Sequence, residues 1–369
     1  MKITKMELYK VALPMRQSFN TGFGEIKNKE VVIVKLTNDT GLVGYGESST
    51  LQDPSYTHET VETCLHIQEK FIAPKIVGQA FNSAEELCAA YASIVGNNIA
   101  KAGVECAFWD LLSQKKGVPL VQLFGGVKDK IPVGEGVGIK SSIDELLQEV
   151  SDRLDEGFVR IKLKIKPGWD LQPLQTVRER WPDIDLTADG NSAYNLDEHR
   201  KVLESLDRFN LTMLEQPLPA GDLVGHASLQ QNLKTPICLD ESIESLDDAR
   251  TAIALKSCRI INIKVGRVGG VLTSMKIHDL AAEHDIGVWC GGMLETGVGR
   301  AFNLALAAKE NYIYPADMSP SRMHFLDDIT EPGLSLTPDG YISVPQEPGL
   351  GFRIKEDALQ QYSLIHVEI

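Results

Sequence analysis

The chain has 369 residues, 43% of them hydrophobic, and a formal net charge of −14 at pH 7. That length predicts about two domains with a sizeable core, and the negative charge argues against nucleic acid or an anionic membrane as a partner. No apolar run reaches the roughly 18 residues that a transmembrane helix needs. The six cysteines are scattered without metal-site spacing, which indicates reduced thiols and a cytoplasmic protein.

The first part of the chain, 1–128, predicts a capping domain of the α+β class, because strand patterns precede helical ones. The strand patterns span 3–13, 30–36 and 42–46, and the helical patterns span 57–76, 83–94 and 99–115. Between the first two strands lies a polar, glycine-bearing loop that carries Phe19 and Phe23. Such a loop either forms a simple turn or closes over a pocket, and we expect the two rings to close over a substrate.

A repeat of about 25 residues organises the middle of the chain. The run Val159–Ile165 alternates aliphatic with basic residues, and four later apolar runs each end in a polar residue. The residues at these ends are Lys164, Asp189, Glu215, Asp240 and Lys264, at spacings of 25, 26, 25 and 24. One strand, one helix and two short loops account for each spacing, so the sequence predicts a (β/α) barrel. The five side chains then stand at the carboxyl ends of successive parallel strands, where barrel active sites are built.

The predicted barrel occupies 129–320. Its first strand is expected at 131–138, its seventh at 286–289 and its last at 313–318. Helices are expected at 142–156, 172–181, 196–207, 246–255 and 270–284, with another from about 298. The tail, 321–369, has strand and turn signals without a further strand–helix repeat, so we expect it to return to the capping domain.

Three of the strand-end residues are carboxylates on adjacent strands. Asp189, Glu215 and Asp240 would repel one another and titrate upward unless a cation neutralised them. An oxygen donor set without histidine or cysteine selects a hard divalent ion, Mg²⁺ first and Mn²⁺ second. A single acidic residue at a strand end is more often a helix N-cap, but three in register between two lysines predict a metal site.

The two lysines, Lys164 and Lys264, are predicted to lie on opposite sides of the carboxylates. A metal between them would hold a substrate carboxylate with one lysine on each side of its α-carbon. Removing the α-proton adds a second negative charge, which the ion stabilises, while neighbouring cations lower a lysine pKa enough to leave a neutral amine. Lys162 lies deeper on the same strand face and is expected to assist electrostatically. Asn191 and Glu241 follow two of the carboxylates and are expected to orient them.

Short motifs at these positions resemble a known family. The motifs Lys162-Leu-Lys164, Asp189-Gly-Asn191, Glu215-Gln-Pro217, Asp240-Glu241 and Lys264 are similar to the muconate-lactonizing subgroup of the enolase superfamily. The segments 158–170, 235–242, 266–270 and 289–300 resemble, more narrowly, the o-succinylbenzoate synthase / N-succinylamino acid racemase family. The likeness covers essentially the whole chain.

The resemblance implies a fold, a reaction and a set of site residues. The fold is a modified (β/α)₇β barrel with an N-terminal α+β capping domain that the C-terminal tail completes. The reaction is Mg²⁺-dependent removal of an α-proton from a small carboxylate substrate by Lys164 and Lys264, a pairing of lysine and Mg²⁺ known for this superfamily. It leads either to o-succinylbenzoate by dehydration, in menaquinone biosynthesis, or to racemised N-succinyl or N-acyl amino acids. Further residues expected near the substrate are Phe19, Arg267, Gly292, Met293 and Glu295, and we expect a homo-oligomer.

A few positions depart from the family pattern and leave the acyl group open. Gly190 replaces an alanine, Gly136 beside Glu135 replaces a serine, and 316–321 reads Ala-Asp-Met-Ser-Pro-Ser in place of Gly-Asp-x-Ser-Ala-Ser. Muconate cycloisomerisation and dipeptide epimerisation are the alternatives within the superfamily. A dipeptide epimerase typically has Asp-x-Asp after the last strand, whereas this chain has Asp317 alone. Outside enzymology, the alternative is a metal-stabilised barrel used for binding.

Overall fold

The computed structural model describes the backbone of residues 1–21 and 24–369 and the side chains of 1–16 and 27–369. Phe23 and the side chain of Phe19 lie outside the described residues, so the lid expected from them stays a prediction. Within the described ranges, no helix combines the length and the apolar character needed to cross a membrane.

The N-terminal part of the chain forms an antiparallel sheet covered by helices. Its strands are β1 (Ile3–Thr21), β2 (Gly24–Asn38) and β3 (Val43–Ser49). Its helices are α1 (Val61–Ile67), α2 (Ala73–Ile76), α3 (Ala84–Ala90), α4 (Asn98–Lys116) and α5 (Leu120–Leu123), and a π-helical turn, Gln68–Ile72, joins α1 to α2. Helix α4 packs closely on β3, because a Cβ at Gly46 would lie 2.0 Å from the carbonyl oxygen of Gly103.

Three strands are present as predicted, but β1 extends to Thr21 and β2 begins at Gly24, well beyond the predicted limits of 13 and 30, so most of the loop expected between them is strand. Two helix boundaries are also wrong. The helix expected at 57–76 begins only at Val61, because the side chain of Thr60 caps it and accepts a hydrogen bond from Thr63 N. The residues before Thr60 form a loop that reaches the barrel. The helix expected at 83–94 ends at Ala90.

After β4 (Lys130–Pro132), seven parallel strands form one sheet in chain order. They are β5 (Gly134–Val137), β6 (Arg160–Lys164), β7 (Asp185–Asp189), β8 (Leu214–Glu215), β9 (Ile237–Leu239), β10 (Ile260–Ile263) and β11 (Gly287–Cys290). The helices that follow them are α6 (Ile143–Asp155), α7 (Leu171–Arg180), α8 (Leu196–Ser205), α9 (Leu223–Gln230), α10 (Leu246–Leu255), α11 (Val271–Glu283) and α12 (Gly297–Ala307). A 3₁₀ turn, Leu206–Phe209, extends α8. The predicted units are present, and α9 is a further helix that the sequence pattern did not predict.

The segment 312–317 closes the sheet into a barrel. Ile313 N donates to Val288 O (3.1 Å) on one side, and Gly134 N donates to Ala316 O (3.0 Å) on the other. The modified (β/α)₇β barrel is therefore confirmed. The first strand, expected at 131–138, is wrong in extent, since β4 pairs with the tail and only β5 belongs to the barrel sheet. Pro132, which has no N–H to donate, stands at the break.

The tail contributes to both parts of the molecule. Its elements are α13 (Ser321–His324), β12 (Thr330–Glu331), β13 (Tyr341–Ser343), β14 (Arg353–Ile354), α14 (Glu356–Gln361) and β15 (Ser363–Glu368). Strand β12 pairs with β14, β13 pairs with β4 beside the barrel, and β15 pairs with β1. The expected return to the capping sheet is thus confirmed for β15, and the domain boundaries after 128 and 320 stay predictions.

Candidate active site

The basic face of β6 lines the interior of the barrel. Arg160 and Lys162 are buried, and Lys164 at the strand end is partly exposed. The ring of Trp289 on β11 lies against both buried cations, its centroid 4.7 Å from the Arg160 guanidinium carbon and 5.0 Å from Lys162 Nζ. The basic side chains of the alternating run therefore face the barrel interior, and the aliphatic side chains face the surrounding helices. The basic face is not a solvated surface.

Lys164 is held between two residues at the end of the neighbouring strand. Its Nζ donates to Asp189 Oδ2 (2.6 Å) and to Asn191 Oδ1 (2.6 Å). The backbone N of Asn191 donates to Asp189 Oδ1 (2.9 Å), and its side-chain amide donates to Glu241 Oε1 (2.9 Å). Asn191 therefore contacts Asp189 and links it to Glu241, and the orienting role expected of both residues stays a prediction.

Lys264 occupies the corresponding place on the other side, bound to Asp240. Its Nζ donates to Asp240 Oδ2 (2.8 Å), and the Arg267 guanidinium donates to Oδ1 of the same carboxylate. Arg267 is fixed in turn by the backbone, because its Nε donates to Ile243 O (2.8 Å). Each of the two lysines therefore contacts a different carboxylate, and the two carboxylates are separated by the strand that carries Glu215.

Tyr56, which the sequence analysis did not single out, joins the Lys264 side of this site. Its hydroxyl donates to Asp240 Oδ2 (3.1 Å) and accepts a hydrogen bond from Lys264 Nζ. Lys264 Nζ also lies 4.9 Å from the centroid of the tyrosine ring. The capping domain supplies this residue from the loop before α1, so the site is built from both parts of the chain. No local pattern marks Tyr56, and only tertiary contacts identify it.

Glu215 lies between the two lysines and is fully buried. Its Oε1 accepts a hydrogen bond from the Asn262 side chain (2.9 Å). Its Oε2 has no hydrogen-bond partner in the described part of the chain and lies 3.3 Å from Lys162 Nζ. Burial and the neighbouring Asp189 and Asp240 raise the pKa of Glu215 to about 8. The negative charge of the carboxylate at the centre of the site is therefore only partly neutralised by the neighbouring protein groups.

The two outer carboxylates are ionised by their cationic neighbours. Burial alone would raise the pKa of Asp189, but Lys164 and Lys162 lower it below its ordinary value. Burial opposes ionisation of Asp240 as well, yet Arg267 and Lys264 hold its pKa well below the usual range.

Lys162 is tied to the floor of the site. Its Nζ forms an ion pair with Asp317 Oδ2 (2.5 Å), and Arg160 pairs with Oδ1 of the same carboxylate. Burial would lower the pKa of Lys162, but Asp317 and Glu215 raise it well above its ordinary value. Lys162 is therefore held as a cation by these ion pairs, and the electrostatic role expected of it stays a prediction.

The three carboxylates could hold a hard divalent ion. Among the described residues they do not all approach within 4.8 Å of one another; the group that does is Glu7, His366 and Glu368, on the capping sheet. Asp189 and Asp240 are each paired with a different lysine. The donors are all oxygen atoms. Oε2 of buried Glu215 has Lys162 Nζ as a charged neighbour at 3.3 Å but accepts no hydrogen bond within the described residues, so it can bind a cation. The residues present fit Mg²⁺.

The loop 291–296 borders the Lys264 side and contains three residues expected near the substrate. Met293 is buried, and its backbone N donates to Glu295 Oε2 (2.9 Å). The other oxygen of Glu295 accepts from the Asn303 side chain (3.1 Å). The backbone of Gly292 runs beside Asp317, since a Cβ there would lie 2.7 Å from its carbonyl oxygen. The Glu295 carboxylate is thus occupied by its own loop and helix, and contact of these residues with substrate stays a prediction.

Two family models match the chain. The model for the mandelate racemase / muconate lactonizing enzyme N-terminal domain matches residues 3–125, and the model for the enolase C-terminal domain-like family matches residues 145–358. The o-succinylbenzoate synthase of Bacillus subtilis is 44% identical over 98% of this chain and 96% of its own length. The chain belongs to the o-succinylbenzoate synthase / N-succinylamino acid racemase family of the enolase superfamily.

Other members of the family are similar over the same extent. The N-succinylamino acid racemase of Thermus thermophilus is 41% identical over 99% of this chain and 98% of its own length. A solved member of the enolase superfamily from Listeria innocua is 40% identical, covers 100% of this chain and 99% of its own, and superposes with a TM-score of 0.97. The similarity therefore spans the capping domain, the barrel and the tail together.

Proposed function

We propose that the chain is a Mg²⁺-dependent enzyme that removes the α-proton of a carboxylate substrate, as an o-succinylbenzoate synthase, an N-succinylamino acid racemase, or both. One observation carries the proposal. Lys164 and Lys264 hold carboxylates on two different strands, Asp189 on β7 and Asp240 just after β9, from opposite sides of the site. Curated relatives of comparable similarity carry each of the two names, which supports both activities and does not choose between them.

Asp189, Glu215 and Asp240 would hold the ion, with Mn²⁺ as the second choice after Mg²⁺. When bound, the ion would offset the second negative charge that α-proton removal places on the substrate. Asn191 and Glu241 would keep the ligand carboxylates oriented.

The lysines would move the proton. In racemisation, Lys164 Nζ takes the α-proton of one enantiomer while Lys264 Nζ delivers a proton to the opposite face, and the roles exchange for the other enantiomer. In the synthase reaction the substrate loses its α-proton and a hydroxyl group, which together form water. Only one lysine need move the proton there, and the other stabilises the developing negative charge. Lys162 contributes a fixed positive charge to both reactions.

The dipeptide epimerase alternative has less support. An epimerase needs a carboxylate after the last strand that is free to bind the substrate's α-amino group. Asp317 is the residue at this place, and it is already paired with Lys162 and Arg160. A neutral N-acyl or succinyl group suits the site better. The homo-oligomer, the cytoplasmic location and the menaquinone pathway stay predictions.

One assay tests the proposal. The protein is incubated in D₂O with Mg²⁺ and either the cyclohexadiene substrate of the synthase or an N-succinylamino acid, and proton NMR follows dehydration and α-hydrogen exchange. We expect turnover of at least one substrate and its loss on chelation. A protein that binds Mg²⁺ but catalyses neither dehydration nor exchange would be a metal-stabilised binding barrel, and the proposal would be wrong.

A further inference from the structure

We infer that Glu47, on strand β3 of the capping domain, is a positioning residue for the Lys264 side of the active site. It acts through the loop 291–296, which it fixes at one end. The inference rests on the proposed function, since it concerns the lysine that serves one face of the substrate. Glu47 itself lies outside the metal-binding and proton-transfer groups described above.

Glu47 is buried and directs both carboxylate oxygens at the start of α12. The backbone N of Thr296 donates to both oxygens (3.1 Å each), and the Thr296 hydroxyl donates to Oε2 (2.6 Å). Gly299 N donates to Oε2 as well (2.9 Å). A carboxylate at a helix N-terminus satisfies donors that have no partner within the helix and complements the helix dipole. Four hydrogen bonds thus join one capping-domain side chain to one barrel helix.

The other backbone N–H groups of this first helical turn also have hydrogen-bond acceptors. Gly297 N donates to both oxygens of Asp328 from the tail (3.2 and 3.1 Å), and Val298 N donates to the Thr296 hydroxyl oxygen (3.2 Å). The start of α12 is therefore held by two distant segments, and its position relative to β3 is set by Glu47.

The loop before α12 is fastened to β3 at a second point. Ser49, two residues after Glu47 on the same strand face, donates from its hydroxyl to Met293 O (2.9 Å). Within the loop, Glu295 accepts from Met293 N (2.9 Å) and from the Asn303 side chain of α12 (3.1 Å). The loop is consequently a short rigid bridge between the capping strand and the helix.

This bridge passes directly against Lys264. A Cβ placed on Gly291 would lie 2.8 Å from Lys264 Cε, so the backbone here fixes the path of the lysine side chain. Lys164 has a different surrounding, because its Nζ is held by Asp189 and Asn191. A shift of the loop should therefore disturb Lys264 and leave Lys164 in place.

The test measures initial rates of α-hydrogen exchange in D₂O for the two enantiomers of an N-succinylamino acid, with Mg²⁺. Lys264→Arg first identifies the enantiomer that depends on Lys264. In Glu47→Gln we expect exchange of that enantiomer to fall about tenfold, because the amide replaces one acceptor oxygen with a donor that faces the backbone N–H groups, and exchange of the other to stay within about twofold. A merely structural role would lower both rates together and leave their ratio unchanged, which would overturn the inference.

Asp110→Asn is the matched control. Asp110 is also a buried carboxylate that accepts from β3, at Tyr45 N (2.8 Å), but its side-chain partners lie in the capping domain. We expect its exchange ratio to equal that of the wild type. If Glu47→Gln fails to fold, Ser49→Ala removes the second fastening point, and an unchanged ratio in that variant would equally overturn the inference. Absence of exchange in a wild-type protein that still dehydrates the synthase substrate would overturn the inference alone. Absence of both reactions would overturn the proposed function, and the inference with it.

Discussion

Asn262 donates a hydrogen bond of 2.9 Å to Oε1 of Glu215, while Oε2 of the same buried carboxylate has no hydrogen-bond partner within the described residues. One oxygen is therefore oriented by a hydrogen bond, and the other, 3.3 Å from Lys162 Nζ, accepts none from this part of the chain and can bind a metal ion. A metal-binding carboxylate is typically oriented in this way, because a hydrogen bond to one oxygen fixes the direction in which the other oxygen points.

The first prediction concerns this carboxylate. Glu215→Gln keeps the shape and the contact with Asn262 but removes the charge, so we expect activity to be abolished and Mg²⁺ to lose its effect on thermal stability. In the wild-type protein, Mg²⁺ at about 100 times its dissociation constant should add about 2.7 kcal/mol to the free energy of unfolding. Thermal unfolding with and without Mg²⁺ measures this.

Glu105→Gln, which alters a buried carboxylate of the capping domain, should retain the Mg²⁺ effect. Full activity after exhaustive chelation would contradict the metal assignment.

The second prediction concerns Tyr56. Tyr56→Phe removes the hydroxyl that bonds to both Asp240 and Lys264 while keeping the ring beside the lysine. We expect kcat for the Lys264-dependent enantiomer to fall about tenfold, because the amine keeps its bond to Asp240 but loses the second hydrogen bond that orients it. Tyr9→Phe is the control, since its hydroxyl bonds to Glu7 on the capping sheet. Equal kinetics in both variants would show that Tyr56 only fills space.

The sequence made much of the site predictable because strand-end chemistry is local. Asp189, Glu215, Asp240 and the two lysines follow apolar runs at a regular spacing, and that spacing needs no tertiary information. Tyr56 has no such signal, since it becomes a site residue only when the loop before α1 folds over the barrel. The break between β4 and β5 has no local signal either, because it depends on the pairing of β4 with β13, which is distant in the sequence.

Two further differences concern α9, where the cause is local, and Asp317, where it is not. Helix α9 is short and contains Gly225 and His226 buried beside an exposed Val224, so it lacks a clear apolar stripe. The sequence shows Asp317 alone where a dipeptide epimerase has Asp-x-Asp, and only the structure shows that it pairs with Lys162 and Arg160. The direction in which a side chain points after the last strand cannot be read from spacing.

The third prediction concerns pH and stability. Burial, together with Arg300 and Arg153, lowers the pKa of His324 to about 3. Below about pH 6.5 the imidazole of His324 is protonated in the unfolded chain but not in the folded protein. The contribution of His324 to the free energy of unfolding is therefore complete above pH 6.5 and is lost as pH falls toward 3. At pH 5 the loss from this group should reach about 2 kcal/mol. Urea unfolding at pH 7 and pH 5 should show a smaller difference in His324→Gln than in wild type. His58→Gln, at an exposed position, should behave as wild type; an unchanged pH dependence in His324→Gln would contradict the prediction.

The central claim is that Lys164 and Lys264 serve opposite faces of one α-carbon. The most direct measurement is α-hydrogen exchange in D₂O with Mg²⁺, for each enantiomer of an N-succinylamino acid, in wild type, Lys164→Arg and Lys264→Arg. Arginine keeps the positive charge but cannot act as the base. We predict that the wild-type protein exchanges the α-hydrogen of both enantiomers. Each variant should exchange only one enantiomer, and the two variants should exchange opposite ones. Neither variant should racemise the substrate. If either variant still racemises at the wild-type rate, the two lysines do not form an opposed acid–base pair, and the account of this site is wrong.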